Sequence, residues 1–128
     1  MDLLVRDVTF AALAQSLSAL SLRQELIAGN IANVNTPGYK RRDVDFTTQL
    51  AAALARPGKR AGRAALVRGV TARELVEQQL FYRPDMGGVD LDREMAEQAK
   101  TSMMYATIAQ LIHNKIRQYR AVIKEGLV

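Results

Sequence analysis

Four carboxylates, Asp90, Asp92, Glu94 and Glu97, crowd the stretch "VDLDREMAEQ", and paired acids are what general acid–base catalysis would draw on. Their spacing equally suits the first turns of a helix, where negative charge meets the positive end of the helix dipole, and that explains them without catalysis. His113 is the single histidine and cysteine is absent, which removes Cys/His zinc sites, disulfide scaffolds and cysteine nucleophiles. A partly exposed helix position accounts for His113. Gly87-Gly88 has no phosphate-loop context and reads as a break. Met103 and Met104 read as fillers of a helix seam and not as ligands. The chain therefore reads as non-enzymatic, with no catalytic, cofactor or metal residues.

A second cluster lies in "NIANVNTPGYKRRD", Asn30 to Asp43. Asn30 and Asn33 fall one helical turn apart and Asn35 follows; asparagine tolerates left-handed backbone angles and bonds to nearby main chain, so it suits a helix end. Pro37 forbids continuation, and Gly38 supplies the torsion of a Pro-Gly turn. The exposed triplet Lys40, Arg41 and Arg42 then points to solvent or a neighbour.

Two periodic stripes must position these clusters. Phe10, Leu13, Leu17, Leu20, Gln24, Ile27, Ile31 and Val34 step by three and four, which predicts a helix from about Leu4 to Asn33, roughly 45 Å long. Leu91, Met95, Gln98, Ser102, Tyr105, Ala109, Ile112, Ile116, Tyr119 and Ile123 do the same, with Asp90 as N-cap and Gly126 as terminator. This predicts a helix from about Asp90 to Glu125, roughly 54 Å long. Neither is stable alone, so each needs a partner. Between them, "DVDFTTQLAAALA" makes a short helix from about Thr47 that stops at Pro57-Gly58. In "TARELVEQQLFYR", Glu74 to Leu80 is open to a helix and Val76 to Tyr82 to an extended segment.

The expected fold is mainly α: two long amphipathic helices paired as a coiled-coil-like hairpin, joined by a small irregular middle with a short helix and possible short strands. One structural domain results, with an N-terminal helix to residue 34, a turn and basic connecting segment over 35–89, and a C-terminal helix over 90–128. The chain has 128 residues, almost half of them hydrophobic but only seven aromatic, which favours narrow seams over a thick core. The paired stripes leave the flank Met103-Met104-Ile108-Leu111 without cover, which points to assembly with copies or related chains.

Charge is unevenly placed. Between Phe46 and Arg73 the chain has no acid but carries Arg56, Lys59, Arg60, Arg63, Arg68 and Arg73, while the remaining 12 basic residues nearly balance all 13 acidic ones. Nucleic acid is one partner for such a block. It has no aromatic after Phe46 to stack on bases, however, and its Ala/Gly/Arg composition reads as a solvated loop or flexible insert. No nucleic-acid partner is expected. The acidic start "MDLLVRD" argues against a cleaved secretory signal, and no window is apolar enough to span a membrane.

The segment "NIANVNTPGYKRRDVDF" resembles the N-terminal signature of the axial proteins of the bacterial flagellum, the rod, hook and hook-associated family, on Asn30, Ile31, Ala32, Asn33, Asn35, Thr36, Pro37, Gly38 and Tyr39 in order. "VDLDREMAEQAKTSMMYATIAQLI", Val89 to Ile112, is similar to the C-terminal part of the proximal rod branch of that family. The resemblance covers roughly the first 46 and last 40 residues. It departs from the family at Asn35, where Asp is common, and at Asp85-Met86-Gly87-Gly88, where an Asp-Gly-Asn-Asn-like turn is usual.

The resemblance implies a structural subunit of the rod, exported by the flagellar type III apparatus without signal cleavage and lying in the basal body, across the periplasm in a Gram-negative host. Its implied partners are copies of itself, other rod proteins, the protein joining the rod to the membrane ring, and the export apparatus. The implied hinge is the signature Asn30 to Tyr39, and the implied assembly seam is Phe10, Leu13, Leu17, Leu20, Ile27 and Ile31 with Tyr105, Ile112, Ile116, Tyr119 and Ile123. The alternatives are another proximal rod component and a helical adaptor that does not polymerise.

Overall fold

Asp7 opens the first helix: its carboxylate accepts from the backbone N–H of Thr9 at 2.8 Å and of Phe10 at 3.3 Å, an N-cap of the usual kind. The computed structural model describes residues 7–78 and 88–126. Within them lie α1 (Val8–Ala32), β1 (Arg42–Asp45), α2 (Thr47–Ala55), α3 (Arg60–Arg68), β2 (Arg73–Val76) and α4 (Leu91–Glu125). The two long helices have 25 and 35 residues.

α1 and α4 run antiparallel along most of their length. Gln24 donates to Ser102 Oγ at 3.3 Å midway, Asn30 meets Glu94 at one end, and Asp7 meets Tyr119 at the other. Asp90 caps α4 as its position predicts, accepting from the N–H of Asp92 at 3.0 Å and of Arg93 at 3.3 Å. At the far end the Gly126 N–H closes onto the Val122 carbonyl.

α1 has a second apolar face that the stripe reading leaves out. Gln15 and Gln24 are nine residues apart, about two and a half turns, and so point in opposite directions. Gln24 reaches α4, whereas Gln15 donates to the Arg68 carbonyl at 3.1 Å. On that second side Ala11 and Ala19 pack with Phe46, Ala53, Val67 and Val70 into the buried cluster, bordered by Val8, Ala12, Val44 and Leu50. The alanines of α1 let a neighbouring helix approach closely, so small side chains build this part of the core.

The segment read as a solvated loop or flexible insert is corrected here. Residues 60–68 form α3, with Ala64 and Val67 fully buried. Alanine and arginine are good helix formers, and two buried apolar residues three apart suffice to seat two turns on α1. The pattern is too short to rise above its basic surroundings in sequence. α2 falls where expected and ends before Pro57.

β1 and β2 form an antiparallel pair with Arg42 opposite Val76, Asp43 opposite Leu75, Val44 opposite Glu74 and Asp45 opposite Arg73. Glu74 to Val76 are therefore strand and not helix. The remainder of the ambiguous stretch, residues 79–82, lies outside the described residues, as do Leu4 at the expected start of α1 and the Asp85-Met86-Gly87 departure. No described helix is long and apolar enough to cross a membrane.

Candidate assembly joint at the end of the first helix

Asn33 does what its position predicts, capping α1 by donating from Nδ2 to the Gly29 carbonyl at 2.8 Å. Asn30 does something else. Its side-chain amide accepts from the Arg42 N–H at 2.9 Å and donates to the Arg42 carbonyl at 2.8 Å, pairing with β1 as a neighbouring strand would. Its Nδ2 also donates to Glu94 at 2.9 Å, and its Oδ1 accepts from the Tyr39 hydroxyl at 3.3 Å. Asn30 is fully buried and every polar atom of its amide is used.

The turn that returns the chain to Asn30 is Thr36-Pro37-Gly38-Tyr39, closed by a bond from the Tyr39 N–H to the Thr36 carbonyl at 3.3 Å. Gly38 has φ 73°, the left-handed angle that the third residue of a type II turn requires. Asn35, Thr36, Pro37 and Gly38 are exposed, Ala32 is an exposed last residue of α1, and Ile31 and Tyr39 are half-buried. The Pro-Gly turn aims Tyr39 and the following residues back at the helix. Gly38→Val is expected to destabilise the chain by about 1–2 kcal/mol through left-handed strain, whereas Gly62→Val, on an open face of α3, is expected to cost less than half of that. Thermal denaturation of the two variants side by side checks the difference; equal shifts would remove the turn from the account.

The basic triplet is also corrected. Lys40 is exposed and Arg42 is partly so, bonded to Glu74, but Arg41 turns inward and is only 3% exposed. Its guanidinium donates to Glu94 at 2.5 Å, to Asp43 at 3.0 Å and to Glu77 at 3.2 Å. Burial works against the Arg41 charge, but Glu94 and Asp43 outweigh it and hold the group above its ordinary range. Burial likewise opposes ionisation of Asp43, which bonds from Arg23, Val44 N–H and Arg41 overcome, so its carboxyl is held below the usual range. Arg23 continues the chain of charges to Glu97 at 3.1 Å.

Glu94 is the residue that sequence reasoning missed. As a helix-start charge it needs no partner, yet it is fully buried and joins Asn30 of α1 to Arg41. Its neighbour in the seam is Thr101, also fully buried, while Leu91, Met95 and Ser102 of the expected stripe are exposed. The buried face of early α4 is thus rotated from the apolar stripe, because a glutamate occupies its first turn. The spacing of Glu94 and Thr101, seven apart and in line with Tyr105, is the signal that marks this face.

Of the other seam residues, Leu20 and Ile27 are buried, while Phe10, Leu13, Leu17, Ile31, Tyr105, Ile112, Ile116 and Tyr119 are half-buried. Ile123 is 54% exposed, beyond the end of α1. Asp7 closes this end, accepting from the Tyr119 hydroxyl and pairing with Lys115 at 3.0 Å. Partial burial pushes against its ionisation, but the bonds from Tyr119, Lys115 and the Phe10 and Thr9 N–H groups prevail and lower its pKa to about 2. The folded pKa lies below the unfolded one, so the contribution of Asp7 is complete above about pH 4 and is lost as pH falls toward 2. Asp7→Asn is expected to flatten acid unfolding in that window, which a pH titration of the melting temperature checks.

Residues 12–40, from the second turn of α1 to just past the Pro-Gly turn, match a family model described as "Flagella basal body rod protein". Over nearly the whole chain there is similarity to "Flagellar basal body rod protein FlgB" of Salmonella typhimurium, 33% identical across 88% of this chain and 90% of that protein. The protein of that name from Escherichia coli K12 is 33% identical across 94% of this chain and 98% of its own length. The one from Borrelia hermsii is 31% identical across 84% and 90%. The chain belongs to the FlgB family of flagellar basal body rod proteins. It is thus a structural component of the basal body rod, and the matched residues 12–40 include Asn30 and the turn that packs back onto it.

Proposed function

We propose that this chain is a proximal rod subunit that leaves the cell through the flagellar type III apparatus without a cleaved leader and polymerises through α1 and α4. Its neighbours in this reading are copies of itself, other rod proteins and the protein that joins rod to membrane ring, and its role is structural and not enzymatic. The observation that carries the reading is the buried Asn30–Glu94–Arg41 joint, which fixes the two terminal helices to each other and to the turn between them. Such a joint gives a subunit one shape to repeat.

The exposed flank of α4 supports it further. Met103 is 73% exposed, Val122 64%, Leu111 47% and Met104 43%, and exposed apolar residues grouped on one flank mark an interaction site. A rod grows by a head-to-tail contact that does not close, so the face and its acceptor are different surfaces. The signature residues Asn30 to Tyr39 serve here as the hinge between the inner helix and the outer segment, and Phe10 through Ile123 as the seam.

Deletion of the gene in its host, with electron microscopy of isolated basal bodies and complementation, tests this. Membrane rings without rods or filaments are expected. Intact rotating flagella would overturn the rod role and leave a non-polymerising adaptor.

A further inference from the structure

The two strands leave two sheet edges, and only one of them is closed. The Glu77 N–H donates to the Arg41 carbonyl at 2.9 Å, so the odd-numbered residues of the register exchange the ladder bonds, and the main chain of Arg42 in β1 and of Glu74 and Val76 in β2 turns outward. On the β1 edge the Asn30 amide takes both outward groups of Arg42. On the β2 edge the N–H and C=O groups of Glu74 and Val76 have no partner among the described residues. Arg73–Val76 is exposed along its whole length, Leu75 to 48% and Val76 to 44%. Such an edge is a template for another strand.

We propose that the outer edge of β2 pairs antiparallel with β2 of a second copy of this chain. Outward groups must meet outward groups, so Glu74 pairs with Val76 of the second copy, and Leu75 stands against Leu75 across the two-fold axis. The same register sets Arg73 against Glu77 twice, once on each side of the leucines. Arg73 is opposite Asp45 on β1 but makes no ion pair among the described residues. Glu77 binds Arg41 and Arg93 through Oε1 alone, which leaves Oε2 for an incoming cation. Opposite charges facing across a strand pair favour it, and like charges oppose it. Sliding one strand by two residues sets Glu74 against Glu74; sliding it the other way sets Leu75 against Glu77 and takes Glu77 from Arg73. A second copy is thus an occupant whose charges fit this edge in one register. A two-fold contact closes at two copies, so it is separate from the head-to-tail contact of the proposed rod and does not rest on it.

The chain has no cysteine, so single-cysteine variants of the purified full chain, treated with oxidised glutathione and run on a non-reducing gel, report the contact. Leu75→Cys is expected to form a covalent dimer, because residues facing at a non-hydrogen-bonded position have Cα atoms about 4.5 Å apart, within the span of about 4.4–6.8 Å that a disulfide bridges. Leu54→Cys, exposed to a similar degree on α2, is expected to give at least about fivefold less. Val76→Pro removes the outward N–H and leaves the β1 ladder intact, as proline on an edge strand can. It is expected to weaken the dimer at least about tenfold in sedimentation, with the helical circular dichroism retained. Equal cross-linking of the two cysteine variants would overturn the proposal, as would a monomer at every concentration. A dimer that Val76→Pro leaves intact would overturn it in favour of the apolar flank of α4. If Val76→Pro does not fold, Arg73→Glu replaces it, with a loss of about fivefold expected from two like-charge contacts. None of these readouts depends on the rod role.

Discussion

Glu94→Ala is expected to destabilise the folded chain by about 3–5 kcal/mol, because it leaves the Arg41 guanidinium buried with its closest partner gone. The melting temperature should fall by more than about 10 °C for a chain of this size. Two losses add in this variant. Asn30 Nδ2 loses one acceptor while keeping the Arg42 carbonyl, and Arg41 keeps only Asp43 and the more exposed Glu77. Glu94→Gln should fall between wild type and alanine, since a neutral acceptor still serves Asn30. The double variant Arg41→Leu/Glu94→Leu should recover a large part of the loss, because removing both charges together removes the desolvation cost of each. Thermal denaturation of wild type, Arg41→Leu, Glu94→Leu and the double variant gives the cycle, with Glu94→Ala and Glu94→Gln measured beside it. A fall of under about 3 °C for Glu94→Ala would show that the joint does not hold the helices.

The long helices are legible in sequence because their signal is repeated: α1 and α4 each show the three-and-four spacing over many turns, and Asp90 and Gly126 stand where cap chemistry puts them. What the spacing does not show is polarity turned inward. Arg41 in a basic triplet and Glu94 in an acidic helix start each have a sufficient local explanation, and only the return of β1 beside α1 brings them within bonding distance. Asn30 illustrates the same limit, since a helix-end asparagine has local partners available and Asn33 uses them. α3 is missed for another reason. Its buried residues, Ala64 and Val67, are too few to make a period, and its stability comes from the second face of α1, itself hidden behind the stronger stripe toward α4.

The half of that stripe which closes within the chain is separable by mutation from the part left over. Ile27 is completely buried, midway between the Gln24–Ser102 contact and the Asn30–Glu94 joint. Ile27→Asp is expected to cost at least about 4 kcal/mol, from lost apolar burial and an unpaired carboxylate, a large share of a stability of about 5–15 kcal/mol. Ile31→Asp and Ile116→Asp, at half-buried positions, should cost less because water reaches the new charge. Ile123→Asp should leave the fold within about 0.5 kcal/mol of wild type, since the side chain is already 54% exposed. Circular dichroism melts of the isolated chains give the order, and motility of the same strains gives the use. A stable Ile123→Asp chain that restores no motility would mean that the overhanging end of α4 makes its contact in the rod. A stable Ile27→Asp chain would mean that the helix pair is not what holds this subunit together.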